Sequence, residues 1–179
     1  MNKLLKKVLN ISIYILVLLV LTYCAVLFLG QRISVIGSSM EPTLSDGDNL
    51  IVDKITYRFR EPKRFDIIVF PYQYASNTYY IKRIIGLPGE KIRIDAEGRI
   101  YINGEVLEEN YGKEVIADAG LAAAEIILGD DEYFVMGDNR NDSADSRFLS
   151  VGNIKRESIM GRAWLRIYPF QSFGILKHA

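Results

Sequence analysis

Cysteine and histidine are almost missing from this chain. Of its 179 residues, one is Cys, at position 24, and one is His, at position 178. A lone cysteine forms no disulfide within the chain, and no Cys/His cluster of the kind that holds zinc can be assembled. The same scarcity narrows nucleophilic catalysis. A Ser-His or Cys-His pair would need His178 to fold back from the end of the chain, so a serine nucleophile here calls for a different base. An excess of one charge is lacking too: 22 Lys and Arg balance 22 Asp and Glu. No basic stripe marks a nucleic-acid surface. No internal repeat or low-complexity tract is visible, and neither a metal nor a cofactor is expected.

Long apolar runs are also lacking, with one exception. From Ile11 to Leu29 the chain carries no charge, and a helix of that length spans roughly 28 Å, about the thickness of a bilayer's hydrocarbon core. Lys3, Lys6 and Lys7 precede it, which by the positive-inside rule keeps the N-terminus cytoplasmic and sends the remainder across. A cleaved signal peptide would have a shorter apolar region ending in a small-x-small site. Here the run ends in Phe28-Leu29-Gly30-Gln31-Arg32, and in Leu21-Thr22-Tyr23-Cys24 a bulky tyrosine precedes the cysteine. The expected organisation is a cytoplasmic basic arm at 1–10, a transmembrane helix at 11–29 and an extracytoplasmic domain at 30–179, attached to the cell membrane by a single pass.

That domain reads as strands. Asn49–Val52, Asp66–Phe70, Tyr79–Ile85, Lys91–Asp95, Arg99–Ile102, Glu132–Met136 and Gly161–Tyr168 are rich in β-branched and aromatic residues and are bounded by turn formers. Asn103-Gly104 predicts a tight reversal, since both residues tolerate positive φ. Only Ala119–Ile127 has a helical composition. The expectation is an all-β fold of antiparallel sheets, with 89–130 inserted as a small β subdomain.

Three stretches carry chemistry. Gly37-Ser38-Ser39-Met40-Glu41-Pro42-Thr43-Leu44 places two adjacent hydroxyls in a turn-forming context just beyond the apolar run. Without histidine, a lysine serves as base if removal from water lowers its pKa. The local Ser-x-x-Lys pattern is absent, so the partner must come from a distant segment. In Tyr80-Ile81-Lys82-Arg83-Ile84, strand alternation puts Tyr80, Lys82 and Ile84 on one face. That setting suits either a desolvated base or a lysine stem covering apolar surface while its amine reaches water. The third stretch, Met136 to Arg147, packs short polar side chains around two arginines, a composition able to form a buried network.

Together these stretches resemble the type I signal peptidases, membrane-anchored serine peptidases. The resemblance rests on Ser39-Met40-Glu41-Pro42-Thr43-Leu44, on Tyr80-Ile81-Lys82-Arg83-Ile84-Ile85-Gly86-Leu87-Pro88-Gly89, and on Gly137-Asp138-Asn139-Arg140 through Ser143-Ala144-Asp145-Ser146-Arg147, in that order. Arg64-Phe65-Asp66-Ile67-Ile68-Val69-Phe70 matches more weakly, because the family usually has glycine where Phe65 stands. The single anchor and short insert look like the compact form of Gram-positive bacteria.

The resemblance implies a Ser-Lys dyad: Ser39 as nucleophile, rather than Ser38, and Lys82 as general base. It further implies that Ser143 orients the lysine amine and that Asp145 and Arg147 form a supporting ion pair. The backbone N–H of Ser39 is expected in the oxyanion hole. Gly37 stands where some relatives place a serine donor, which leaves a backbone N–H or Ser38 as the second donor. Substrates are then signal peptides of exported preproteins, cut after small-x-small (Ala-x-Ala) sites while bound as an added strand. By position Ile33, Val35, Ile36, Met40, Leu44, Tyr80 and Ile81 either line the pockets or pack in the core. Membrane lipids and the export machinery are the other expected partners. The alternatives are a peptidase dedicated to one client and a non-catalytic relative in surface-protein or pilus assembly; relatives of the latter kind lose the serine or the lysine.

Overall fold

The computed structural model describes the backbone of residues 3–75 and 78–176 and the side chains of 5–23, 30–75 and 78–176. Helix α1 runs Lys3–Leu29 and includes most of the stretch expected as a separate basic arm. Lys and Leu are good helix formers and nothing in Lys3–Asn10 breaks the helix, so it starts before the apolar run does. Its apolar side chains from Leu5 to Tyr23 are not buried against any other described part of the protein.

Strand β1 (Gly30–Ser34) follows immediately. The main sheet then takes β2 (Asn49–Asp53), β3 (Ile67–Pro71), β4 (Tyr79–Gly86), β9 (Glu132–Met136), β10 (Ile154–Lys155), β11 (Gly161–Tyr168) and β12 (Gly174–Ile175). Its order is β1-β2-β11-β3-β4-β9-β10, with β12 beside β11, and every pairing is antiparallel. The all-β expectation holds. Strand β1, with its Gln and Arg, carries no clear strand pattern; its existence depends on pairing with β2, a tertiary event.

A second sheet, of order β7-β6-β5-β8, is built from β5 (Lys91–Ile94), β6 (Ile100–Ile102), β7 (Glu105–Val106) and β8 (Ile126–Ile127). Ala119–Ile127 is not a helix. Its first part makes one 3-10 turn at Gly120–Ala123 and its last part becomes β8, paired with β5. Leu121 N–H donates to the Arg147 carbonyl at 2.8 Å. A Cβ at Gly120 would lie 2.3 Å from that carbonyl oxygen. This docking onto the polar loop overrides helical composition.

Three apolar clusters fill the interior. Met40 and Leu44, 2% and 0% exposed, belong to the one that also holds Val35, Leu50, Val52, Ile67, Val69, Ile81 and Ala163. The loop carrying the serines is thereby nailed to the sheet, at about 1.5–3 kcal/mol for each such side chain. Phe65 takes φ +70°, in the left-handed region, where a phenylalanine is strained and a glycine would not be.

Candidate active site

The 35–48 loop closes between β1 and β2 through Val35 N–H to the Asp48 carbonyl (2.8 Å) and Gly47 N–H to the Val35 carbonyl (3.0 Å). Gly37 has φ +89°, which turns the chain so that Ser38 and Ser39 diverge. Ser38 Oγ donates to Asp142. Ser39 Oγ meets Lys82 Nζ at 2.7 Å. The turn is held from behind, since Asn139 N–H donates to the Ser39 carbonyl at 3.1 Å and Asn139 Nδ2 to the Ser38 carbonyl at 3.2 Å. Between these loops lies Gly137, where any Cβ would fall 2.4 Å from the Ser39 carbonyl oxygen and 2.3 Å from Ser143 Oγ. Only glycine permits that approach.

Lys82 sits on β4 opposite Ile68 and is 3% exposed. Of the two arrangements alternation allows, its amine takes the desolvated one. Besides Ser39 Oγ, the amine donates to the Ile81 carbonyl at 3.1 Å, and it lies 5.1 Å from the centre of the Tyr80 ring. Burial pulls its pKa down from 10.5 to about 8, while the charges of Asp145 and Asp138 oppose that shift. Among the described residues no carboxylate bonds the amine directly.

Behind Lys82 lies the polar loop. Arg147 grips Asp145 with two bonds, Nε to Oδ1 at 2.8 Å and Nη2 to Oδ2 at 2.9 Å, and both side chains are buried. Asp145 also accepts Gly137 N–H at 3.1 Å. Arg147 donates to the carbonyls of Asp118 and Arg140, tying the insert to this loop. Ser143 Oγ is buried beside Gly137 and makes no hydrogen bond among the described residues. A bond from Ser143 to the lysine amine is therefore not formed in this structure.

A cleft of about 670 Å³ runs from β1 to the first half of β4. It is lined by Ile33, Val35, Ile36, Met40, Tyr80 and Ile81, together with Ser39 and Lys82. Leu44, named with them from the sequence, does not reach it; at 0% exposure it is a core residue. Sequence reasoning missed Thr78, Tyr79 and Ala144, which also line the cleft. Ala144 was visible as the small residue between Ser143 and Asp145, but only the fold turns it inward. Of the alternatives for a second oxyanion donor, Ser38 Oγ is engaged with Asp142, and among backbone donors Gly37 N–H is engaged with Asp46 Oδ1 at 2.8 Å. Ser39 N–H makes no hydrogen bond among the described residues. His178 lies outside the described residues. Among them no group of His, Cys, Asp and Glu is arranged to hold a metal.

Comparison with known proteins places this architecture. The family model described as signal peptidase, peptidase S26, matches residues 7–168. The chain is 42% identical over 154 residues to the probable signal peptidase I-2 of Synechocystis sp., covering 83% of this chain and 68% of that one. It is 35% identical over 173 residues to signal peptidase I P of Bacillus subtilis subsp. natto, covering 92% and 90%. A crystal structure of a signal peptidase I from Enterococcus faecalis V583 shares 33% identity, covers 57% of this chain and 97% of that one, and superposes with a TM-score of 0.48. The chain belongs to the signal peptidase family, peptidase S26. It is an enzyme, a serine-type endopeptidase.

Proposed function

We propose that this enzyme removes N-terminal signal peptides from exported preproteins with Ser39 as nucleophile and Lys82 as general base. The observation that carries the reading is the 2.7 Å contact between Ser39 Oγ and an amine that burial brings to a pKa of about 8. Once neutral, the amine takes the Ser39 proton as Oγ attacks the scissile carbonyl. The resulting ammonium protonates the departing amine, an acyl-enzyme is left, and a water deprotonated by Lys82 releases it. Ser39 N–H supplies the main-chain donor for the oxyanion. Asp145 and Arg147 hold the loop behind the lysine. The orienting role of Ser143 rests on the family motif, its hydroxyl making no hydrogen bond among the described residues.

The cleft supports an extended substrate. Within it β1 is bonded only to β2, and residues Tyr79–Lys82 of β4 only to β3. Two open strand edges therefore face the site, the arrangement that strand addition requires. Val35, Met40 and Ile81 offer apolar walls for the small residues of an Ala-x-Ala site. Helix α1 serves as the membrane anchor, with its lysine-bearing start in the cytoplasm and the catalytic domain outside. Retention of both Ser39 and Lys82, in contact, supports an active peptidase over a non-catalytic relative.

The test is cleavage of a preprotein with an Ala-x-Ala site in detergent. Ser39→Ala and Lys82→Ala should each lower turnover by at least about a thousandfold. Near-normal turnover by either variant overturns the dyad.

A further inference from the structure

We propose that Asp142 is a specificity-determining residue for the part of the substrate that follows the cut: its carboxylate favours a basic side chain, and disfavours an acidic one, at the second residue after the scissile bond. This deepens the proposed function and rests on it.

Position carries the first half of the case. The cleft ends at Ser39 and Ala144, which line it, whereas Ser38 and Asp142 do not. Ser38 Oγ donates to Asp142 Oδ2, so this pair stands just past the proposed nucleophile, outside the cleft. The turn that carries Asp142 is fixed there. Asp142 N–H donates to the Asn139 carbonyl at 3.0 Å, and Asn139 is itself bonded to the carbonyls of Ser38 and Ser39. With the apolar walls of the cleft taking the residues before the cut, the chain after it leaves across this turn. In an extended peptide alternate side chains share a face. The residue before the cut and the second residue after it therefore both point at the enzyme, roughly 7 Å apart along the strand.

Charge carries the second half. The other acidic side chains around the turn are engaged. Lys113 Nζ binds Glu41 at 2.9 Å, Asn141 Nδ2 donates to Glu114 at 3.1 Å, Arg140 pairs with Glu109 at 2.8 Å, and Arg147 holds Asp145. Asp142 is exposed and forms no ion pair among the described residues. Its Oδ2 accepts the Ser38 hydroxyl, and its Oδ1 accepts no hydrogen bond among them. An unneutralised carboxylate on open surface, at about 7 Å from a unit charge, changes an equilibrium by a factor of roughly two to three. A basic and an acidic substrate feel it with opposite sign, so the two should differ roughly fivefold.

The full chain in detergent is given three peptides with one common Ala-x-Ala site, carrying Lys, Ala or Asp as the second residue after the cut. The expected order of kcat/KM is Lys, Ala, Asp, with a Lys-to-Asp ratio of roughly fivefold at low salt that shrinks towards one at about 1 M salt. Asp142→Asn keeps an acceptor for the Ser38 hydroxyl and removes the charge; the ratio should fall to within about twofold of one. Glu114→Gln removes a neighbouring charge and should leave the ratio standing. A wild-type ratio of one or below overturns the assignment. So does a ratio that survives Asp142→Asn or high salt, or one that Glu114→Gln abolishes equally. If no peptide is cut after its Ala-x-Ala site, the proposed function itself fails; if all three are cut at equal rates, only the role of Asp142 does.

Discussion

Lys82 and Arg83 are neighbours on β4, 3% and 1% exposed, and they face opposite sides of the sheet. On one side, Lys82 has a hydroxyl, a carbonyl and a tyrosine ring around it and, among the described residues, no bonded carboxylate. On the other, Arg83 forks onto Asp138 at 2.8 and 2.7 Å, donates to the Phe65 carbonyl at 3.0 Å and lies 3.7 Å from the Tyr111 ring centre. Thr43 completes the shell of Asp138. Two buried cations thus have different uses. Arginine keeps its charge and, when paired, fixes the geometry between the serine loop and the polar loop. Lysine gives up its charge readily when deprived of a counter-ion, and a base must be able to do that.

The largest test of this contrast is Lys82→Arg. If a cation alone sufficed, activity would survive; permanent charge should instead cost at least about a thousandfold in kcat/KM. Arg83→Met breaks the other side. It leaves Asp138 buried and unpaired, and should lower unfolding free energy by about 3–5 kcal/mol in a urea titration.

Stability should respond in the opposite sense to Lys82→Met. The Lys82 pKa is lower in the folded state, about 8 against 10.5, so burial of its charge costs stability in full below pH 8, and the cost disappears above pH 10.5. The variant should be more stable at pH 7 by about 3 kcal/mol, with the gain fading across that window. Denaturant midpoints at several pH values measure it, and a pH-independent difference would sink the idea.

Activity has its own pH signature. In the proposed mechanism the neutral amine is the active form, so kcat/KM should climb about tenfold between pH 7 and 9. Asp138→Asn removes a charge that holds the lysine pKa up, and should move the rise towards lower pH. The smallest effect belongs to Ser38→Ala, because the Ser38 hydroxyl is bonded to Asp142 and not aimed at the site. A change within about threefold is expected; a loss on the scale of Ser39→Ala would make Ser38 the missing oxyanion donor.

Much of the site was legible because its parts are local. Alternation put Lys82 on one face with Tyr80 and Ile84, and the centre of the Tyr80 ring lies 5.1 Å from its amine. The density of Asp, Asn, Ser and Arg from Gly137 to Arg147 foretold a buried network. Other features depended on long-range contact. Strand β1 has no pattern of its own, Ala119–Ile127 gave up its helix to dock on Arg147, and Leu44 went to the core while its near neighbour Met40 reached the cleft.

The sequence by itself determined the all-β class and the apolar run, and it narrowed the choice of base for the proposed chemistry. Near-absence of cysteine and histidine is a compositional fact that no folding can change, and strand alternation is a property of the backbone. Tertiary structure alone brought Ser39 within 2.7 Å of Lys82, across 43 positions of chain. It separated Ser38 from Ser39 by a positive-φ glycine and let Gly137 bring the two loops together. Contacts of that range depend on how the sheet curls and which loops it packs. Desolvation, the cause of the lysine's lowered pKa, exists only once they have formed.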